Sequence, residues 1–214
     1  MAPDQIHIEK NPTRWRVTLN RPRKANAITH AMLEQLHDLF VRAGENHDLR
    51  TLVITGAGER VFCGGADLQE VSDKDDPRDA LWDSMSEALV KIPAFTVAQI
   101  NGHCIGGGLV LALCCDVRVS VPAARFAYPA LRMGALPGKL DARRLHHLIG
   151  SARTSLLLLG DQQIEASEAY KWGLIDRVVA PDALEDSVDA ICLTANQSDP
   201  THLHKLTNVC RDVN

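Results

Sequence analysis

"INGHCIGGGLVLALCCDVRVS", residues 100–120, places three consecutive glycines directly before an apolar run. The preceding text "AFTVAQI" (94–100) predicts a buried strand, and the apolar run after the glycines predicts a helix. "DVRVSV" (116–121) then alternates as a second short strand. A strand, a glycine turn, a helix and a further strand form a βαβ unit, which favours parallel pairing.

The same alternation continues on both sides of this unit. Strands are predicted at 5–9, 14–20, 49–56, 124–128 and 174–179, and helices at 29–46, 76–92, 141–150, 152–160, 166–173 and from Ala183 onward. We therefore expect an α/β domain with a largely parallel sheet and a mostly helical region from Leu140 on.

Composition limits the classes of function. The chain has 214 residues and a net charge of −4, which gives no electrostatic basis for binding nucleic acid or an anionic membrane. No apolar stretch is long enough to span a bilayer, and the polar N-terminus "MAPDQIHIEK" does not resemble a secretory signal. The six cysteines lack metal-site spacing, so we expect reduced thiols in a cytoplasmic protein and no metal ion.

Gly56-Ala57-Gly58 follows a predicted strand, as in a dinucleotide-binding turn. That turn needs a third glycine where this chain has Val61, and a helix directly afterwards. Neither glycine cluster is followed by Lys-Ser or Lys-Thr, so a phosphate-binding loop is not predicted either.

Cys63-Gly64-Gly65-Ala66-Asp67-Leu68 resembles the Gly106-Gly107-Gly108 stretch, because in each case small residues follow a strand and are expected to lead into a helix. A ligand can approach such backbone closely, and N–H groups at a helix start are free to bind it. Two such groups converging on a carbonyl oxygen would form an oxyanion hole. The alternative is that these glycines only permit tight turns and close helix packing.

Five segments resemble the crotonase superfamily, the enoyl-CoA hydratase/isomerase family, over about residues 5–185. They are "VTLNRPRKANAIT" (17–29), "VITGAGERVFCGGADL" (53–68), the opening segment, "ARFAYPALRMGALPG" (124–138) and "ASEAYKWGLIDRVV" (166–179). The resemblance implies a crotonase-like spiral of ββα units. It also implies a homotrimer or dimer of trimers that acts on acyl-CoA in fatty acid metabolism, with coenzyme A as part of the substrate and no bound cofactor.

The resemblance also implies roles for individual residues. The N–H groups of Ala66 and Gly107 would hold the thioester carbonyl. Coenzyme A would be bound by Arg23, Lys24, Ala25, Ala27, Gly65, Asp67 and Leu68. The substrate pocket would include Trp82, Asp83, Val110, Tyr128, Ala130 and Gly138.

Two positions depart from the family pattern. Hydratases of this family carry one glutamate two residues after the tri-glycine and another after the proline of the "F-x-x-P-E" stretch. This chain has Val110 and Ala130 there, and neither side chain can exchange a proton. Standard enoyl-CoA hydration is therefore not expected. An enolate-forming enzyme with a different base and a non-catalytic acyl-CoA-binding protein both remain open.

Other acidic residues are candidates for the role of the two absent glutamates. Asp141 lies where other family members carry catalytic carboxylates, but its place before "ARRLHHLIG" suits a helix N-cap equally well. Asp83 and Glu87 lie on a predicted amphipathic helix with Trp82, where they line the acyl end or form a solvated face. Tyr128 orients the acyl group or packs in the core. Asp67 is expected to cap or brace the turn at Ala66.

The domain organisation predicted from these patterns is an acyl-CoA-binding core at 1–190 and the start of a C-terminal helical region at 191–214. Family members usually continue through further C-terminal helices, so this region is expected to be truncated.

Overall fold

The fold is taken from a computed structural model, which describes residues 5–70 and 78–211. Its ten strands and eight helices in this range follow in chain order. The strands are β1 (Ile6–Lys10), β2 (Arg14–Leu19), β3 (Thr51–Gly56), β4 (Val61–Cys63), β5 (Phe95–Ile100), β6 (His103–Ile105), β7 (Val117–Ser120), β8 (Arg125–Ala127), β9 (Ile164–Glu165) and β10 (Arg177–Val178). The helices are α1 (His30–Gly44), α2 (Arg78–Lys91), α3 (Gly107–Cys114), α4 (Ala130–Met133), α5 (Lys139–Leu158), α6 (Ala166–Trp172), α7 (Leu184–Gln197) and α8 (Pro200–Arg211).

The strands form two sheets. The larger has the order β1-β2-β3-β5-β7-β10, in which only β1 and β2 pair antiparallel. The smaller has the order β4-β6-β8-β9, in which only β8 and β9 pair antiparallel. Each of the pairs β3/β4, β5/β6 and β7/β8 places one strand in each sheet before a helix follows. This repeated step is the expected spiral of ββα units, and the predicted fold class is confirmed.

Burial explains why these segments become strands and helices. Every residue of β3 is buried, as expected for a central parallel strand covered on both faces. Helix α1 buries one stripe of apolar side chains and begins at Thr29, whose hydroxyl accepts a hydrogen bond from the Met32 N–H. Helix α3 is buried from Gly108 to Cys114, so the segment that opens with three glycines lies in the core.

The C-terminal helices pack on this core. Helix α7 runs continuously across residue 190, and its Cys192 side chain is fully buried. Arg211 on α8 forms an ion pair with Asp116 and donates hydrogen bonds to the carbonyls of Val90, Ile92 and Ala94. The proposed division at residue 190 therefore falls within a helix.

Two helical stretches, as predicted at 141–150 and 152–160, make up α5, and they are separated by Gly150, whose φ of +77° and ψ of 167° are not helical. The start of α5 differs from the prediction. Helix α5 begins at Lys139, with Gly138 in the N-cap position and no side-chain capping bond. The prediction of Asp141 as an N-cap is therefore wrong, because Asp141 is the third residue inside the helix.

Candidate active site

The two glycine turns are in direct contact. Gly65 has φ +99°, and a Cβ built there would lie 3.2 Å from the Ile105 carbonyl oxygen and 3.3 Å from the Gly107 nitrogen. Gly106 has φ +54°, and its N–H donates to the Ala127 carbonyl at 3.0 Å. Both positions favour glycine because of their positive φ, and at Gly65 a side chain would also press on the facing turn.

Two N–H groups in these turns remain available for a ligand. The chain beside the first turn is Ala25–Ile28: Ile28 N–H donates to the Gly65 carbonyl and Asp67 N–H donates to the Ile28 carbonyl, both at 2.8 Å. Since successive N–H groups of an extended chain alternate in direction, the Ala66 N–H points away from Ile28. Among the described residues, no oxygen accepts a hydrogen bond from the N–H of Ala66 or of Gly107.

The first turn continues directly into a second turn. Residues 68–70 form this turn, which is closed by a hydrogen bond from Glu70 N–H to the Asp67 carbonyl at 3.0 Å. The prediction that a helix follows falls in part on residues 71–77, which lie outside the described residues. The Ala66 N–H is therefore presented by an extended bridge residue rather than by a helix start. Gly107, in contrast, is the first residue of α3, where unpaired N–H groups are expected.

An ion pair holds the first turn in place. Arg21 Nη2 lies 2.8 Å from Asp67 Oδ2, and both side chains are largely buried. Asp67 also accepts a hydrogen bond from the Gln69 N–H at 3.1 Å. The pKa of Asp67 is lowered, mainly by the hydrogen bond from Arg21. These contacts agree with the predicted bracing role of Asp67.

Asn26 fixes the neighbouring segment and was not identified from the sequence. Ala25 and Asn26 have φ of +52° and +51°, a backbone that asparagine adopts more readily than most residues. The buried Asn26 amide donates to the carbonyls of Ala57 and Val61 at 3.0 and 2.7 Å and accepts from the Arg21 N–H at 2.9 Å. The only signal in the sequence was the letters "NRP" and "AN" within the segment 17–29, which are typical of a turn. The contacts of Asn26 depend on the tertiary fold.

The residues expected to bind coenzyme A surround this segment. Four of them are exposed: Arg23, Lys24, Ala25 and Leu68. Ala27 is half-buried and Gly65 is buried. The segments 23–27 and 65–68 are adjacent, joined by the bond from Gly64 N–H to the Ala25 carbonyl at 2.9 Å. The structure therefore brings the two predicted coenzyme A segments together.

Trp82 lies directly against the second turn. A Cβ on Gly107 would come within 2.5 Å of Trp82 Cη2 and 3.0 Å of its Cζ2, so the outer edge of the indole contacts the Gly107 α-carbon. The side chain is half-buried and packs against the core. Trp82 therefore forms a wall beside Gly107.

Asp141 is the buried acid of this region. Its residue is 2% exposed, and its Oδ1 has no hydrogen-bond partner among the described residues. Burial raises the pKa of Asp141 to about 6; Arg144 lowers this pKa and the Asp83 carboxylate raises it. A carboxyl group with a pKa near neutrality can exchange protons at physiological pH.

Asp83 and Asp141 flank Gly138. A Cβ on Gly138 would overlap Asp83 Oδ1 and would lie 2.8 Å from Asp141 Oδ2. Asp83 is exposed, as the interpretation of a solvated helical face predicts, and its carboxylate also lies against Gly138. Glu87 pairs with Lys91 on the exposed side of α2. Trp82 and Asp83 are consecutive on α2, so this helix links the Gly107 turn to the carboxylate pair.

The two positions at which the resemblance implies glutamates in hydratases are apolar and closed. Val110 is 3% and Ala130 is 5% exposed, and Val110 belongs to the main hydrophobic core. Tyr128 is half-buried and packs against that core. Neither Val110 nor Ala130 can supply a proton, as the sequence indicated.

The described residues form neither a metal-binding cluster nor a membrane-spanning helix. Within residues 5–70 and 78–211, no group of three or more His, Cys, Asp or Glu side chains is arranged to hold a metal ion. In the same ranges, no helix combines the length and apolarity that crossing a bilayer requires. The six cysteines are free thiols, and only Cys210 is exposed.

The ββα spiral is the fold of crotonase-like proteins, and comparison with known proteins agrees. The family model described as enoyl-CoA hydratase/isomerase matches residues 9–212. The crotonyl-CoA hydratase of Syntrophomonas wolfei is 31% identical over 89% of this chain and 75% of its own length. The carnitinyl-CoA dehydratase of Citrobacter koseri is 30% identical over 97% of this chain and 80% of its own length.

Solved structures show the same relationship. The crystal structure of enoyl-CoA hydratase from Bacillus anthracis superimposes with a TM-score of 0.89 at 30% identity, covering 96% of this chain and 81% of that one. Pseudomonas aeruginosa DspI superimposes with a TM-score of 0.91 at 27% identity, covering 98% and 81%. The chain belongs to the enoyl-CoA hydratase/isomerase family of enzymes.

Proposed function

We propose that this enzyme binds an acyl-CoA thioester and exchanges a proton at its α-carbon through an enolate. The observation that carries the proposal is the pair of unpaired N–H groups, of Ala66 and Gly107, on two glycine turns in contact. The thioester oxygen accepts both hydrogen bonds, and these strengthen as the oxygen becomes an enolate. Each such donor typically stabilises the transition state by about 3 kcal/mol.

Asp141 is the proposed base. Its carboxyl group is buried, has a pKa of about 6 and lies beside α2, whose Trp82 contacts the Gly107 turn. At neutral pH most of the Asp141 side chains are ionised and able to accept the α-proton. Val110 and Ala130 leave no acid at the usual hydratase positions, so we propose isomerase-type or other enolate chemistry rather than standard hydration.

The coenzyme A moiety is proposed to lie along the segments 23–27 and 65–68. The exposed cations Arg23 and Lys24 suit its phosphates, and the Asp67–Arg21 ion pair keeps the Ala66 turn beside them. The acyl group then enters the space bounded by Trp82 and Gly138. In this proposal coenzyme A belongs to the substrate, and the enzyme has no bound cofactor.

Binding of a matched pair of ligands tests the carbonyl site. We expect calorimetry to show tighter binding of butyryl-CoA than of S-butyl-CoA, a thioether that lacks only the carbonyl oxygen. Equal affinities would contradict the proposed hydrogen bonds. Binding of the thioester without any α-proton exchange would instead favour a non-catalytic acyl-CoA-binding protein, the function that the apolar Val110 and Ala130 favour.

We also propose the homotrimer or dimer of trimers that the resemblance implies. Leu131, Met133 and Leu136, on and after α4, are 64%, 46% and 90% exposed, which is unusual for side chains of this size. Light scattering is expected to give a mass that is a multiple of three chains, and Leu136→Glu is expected to lower it. A monomer at micromolar concentration would contradict the proposal.

A further inference from the structure

Asp83 and Asp141 differ in access to solvent although they face the same backbone atom. Both carboxylates approach the position that a Gly138 Cβ would occupy, one from α2 and the other from α5. The Asp83 side chain is exposed, whereas the Asp141 residue is 2% exposed. The buried Asp141 carboxyl group therefore has an exposed carboxylate, Asp83, between itself and solvent.

The groups around Asp141 balance its charge only in part. Arg144 Nη1 is 4.0 Å from Asp141 Oδ1, too far for a hydrogen bond, and the same nitrogen donates to the Cys114 sulfur at 3.2 Å. Asp83 repels the Asp141 charge, and the buried Cys114 thiol lies nearby on α3. The Ser86 hydroxyl, 1% exposed on α2, is close enough to Asp141 to lower its pKa, although the two groups do not meet the geometry of a hydrogen bond.

A buried carboxyl group beside an exposed one can pass its proton to that neighbour, from which water can take it up. Asp141 is the buried end of the pair, and Asp83 is the solvent end. The geometry is that of a proton relay rather than of a surface acidic cluster.

We infer that Asp83 passes the Asp141 proton to and from water. The inference rests on the proposed function. The α-carbon C–H bond breaks, an O–H bond forms on Asp141, and the electron pair moves to the thioester oxygen as the enolate forms. The proton then moves from Asp141 to Asp83 and on to water. The reverse steps return a solvent proton to carbon.

Asp83→Asn tests the relay, and Glu87→Gln is the matched control. Glu87 is on the same helix but pairs with Lys91 on its exposed side. With butyryl-CoA in heavy water, Asp83→Asn is expected to slow α-proton exchange about tenfold or more and to move the acid limb of the pH profile to lower pH. Glu87→Gln should leave both unchanged. An Asp83→Asn enzyme with the wild-type rate and profile would overturn the inference.

A second readout does not depend on catalysis. Carboxyl ¹³C NMR can follow the titration of Asp141, assigned from its loss in Asp141→Asn. The Asp141 midpoint is expected to fall in Asp83→Asn, because the repelling charge is gone, and to stay in place in Glu87→Gln. An unchanged midpoint would overturn the pairing. If the midpoint moves but wild-type enzyme exchanges no α-proton, the pairing stands and the proposed function fails.

Discussion

The edge of the Trp82 indole lies against the α-carbon of Gly107, so close that a Cβ on Gly107 would come within 2.5 Å of Trp82 Cη2. One contact thus joins helix α2 to the turn whose Gly107 N–H has no acceptor in the part of the chain that the structure describes. It makes Gly107 sterically necessary and places an aromatic wall beside the proposed thioester site.

Gly107→Val is expected to weaken acyl-CoA binding at least about a hundredfold, because the new side chain must displace Trp82 or move the N–H donor. Calorimetry with butyryl-CoA measures the effect. Gly107→Ala in a Trp82→Ala background, where the clash is relieved, should bind more tightly than Gly107→Ala alone. Unchanged affinity of Gly107→Val would exclude the proposed pocket.

Trp82→Ala is expected to shift the preferred acyl group from short to long, since removing the indole enlarges the space beside Gly107. The ratio of affinities for dodecanoyl-CoA and butyryl-CoA should rise about tenfold or more, as each added buried methylene contributes about 0.8 kcal/mol. Trp172→Ala, on α6, is a control from which no change of ratio is expected. The same ratio in Trp82→Ala and wild-type enzyme would mean that Trp82 does not limit chain length.

Asp67→Asn is expected to lower the free energy of unfolding by about 1–3 kcal/mol at neutral pH, since it removes a charged hydrogen-bond acceptor from Arg21. The folded-state pKa of Asp67 is depressed, so its stabilisation is fully present above the unfolded value of 3.8 and is lost as pH falls through the folded pKa. Urea unfolding should show a smaller difference in the free energy of unfolding between wild type and Asp67→Asn at strongly acidic pH than at neutral pH. A difference independent of pH would contradict the assigned ion pair.

Asp141→Asn is expected to have the opposite dependence. The folded pKa, about 6, exceeds the unfolded value of 3.8, so ionised Asp141 disfavours folding increasingly as pH rises through this interval. As pH rises from about 4 to 7, the free energy of unfolding of the variant should increase by up to about 3 kcal/mol relative to that of wild type. Thermal unfolding at these two pH values measures the gain. A variant that loses stability as pH rises would show that the charged form is favoured in the fold.

The sequence predicted the parts of this protein that depend on local pattern. Alternating strands and helices around the tri-glycine stretch indicated an α/β domain with a largely parallel sheet, and the resemblance to the crotonase superfamily implied the ββα spiral. The smaller sheet was only partly predicted, because strands such as β6 and β9, of three and two residues, are too short to leave a periodic pattern. The start of α5 was misplaced because its cap, Gly138, uses no side chain.

The contacts that matter most at the candidate site join residues far apart in the chain. Nothing local indicates that Asp83 lies beside Asp141, that Trp82 contacts Gly107 or that Arg21 pairs with Asp67. Each depends on how α2 and the 64–67 turn pack against other elements. Their residue types identified these side chains as candidates. Which partners they contact is determined by the tertiary fold.

The central claim is that a base on this enzyme removes the α-proton of a thioester held by Ala66 and Gly107. The most direct test incubates the enzyme with butyryl-CoA in heavy water and follows deuterium uptake by mass spectrometry. We expect uptake by wild-type enzyme and its loss in Asp141→Asn, with the variant still folded and still binding butyryl-CoA. Bound but unlabelled butyryl-CoA with wild-type enzyme, or undiminished uptake in Asp141→Asn, would contradict the claim.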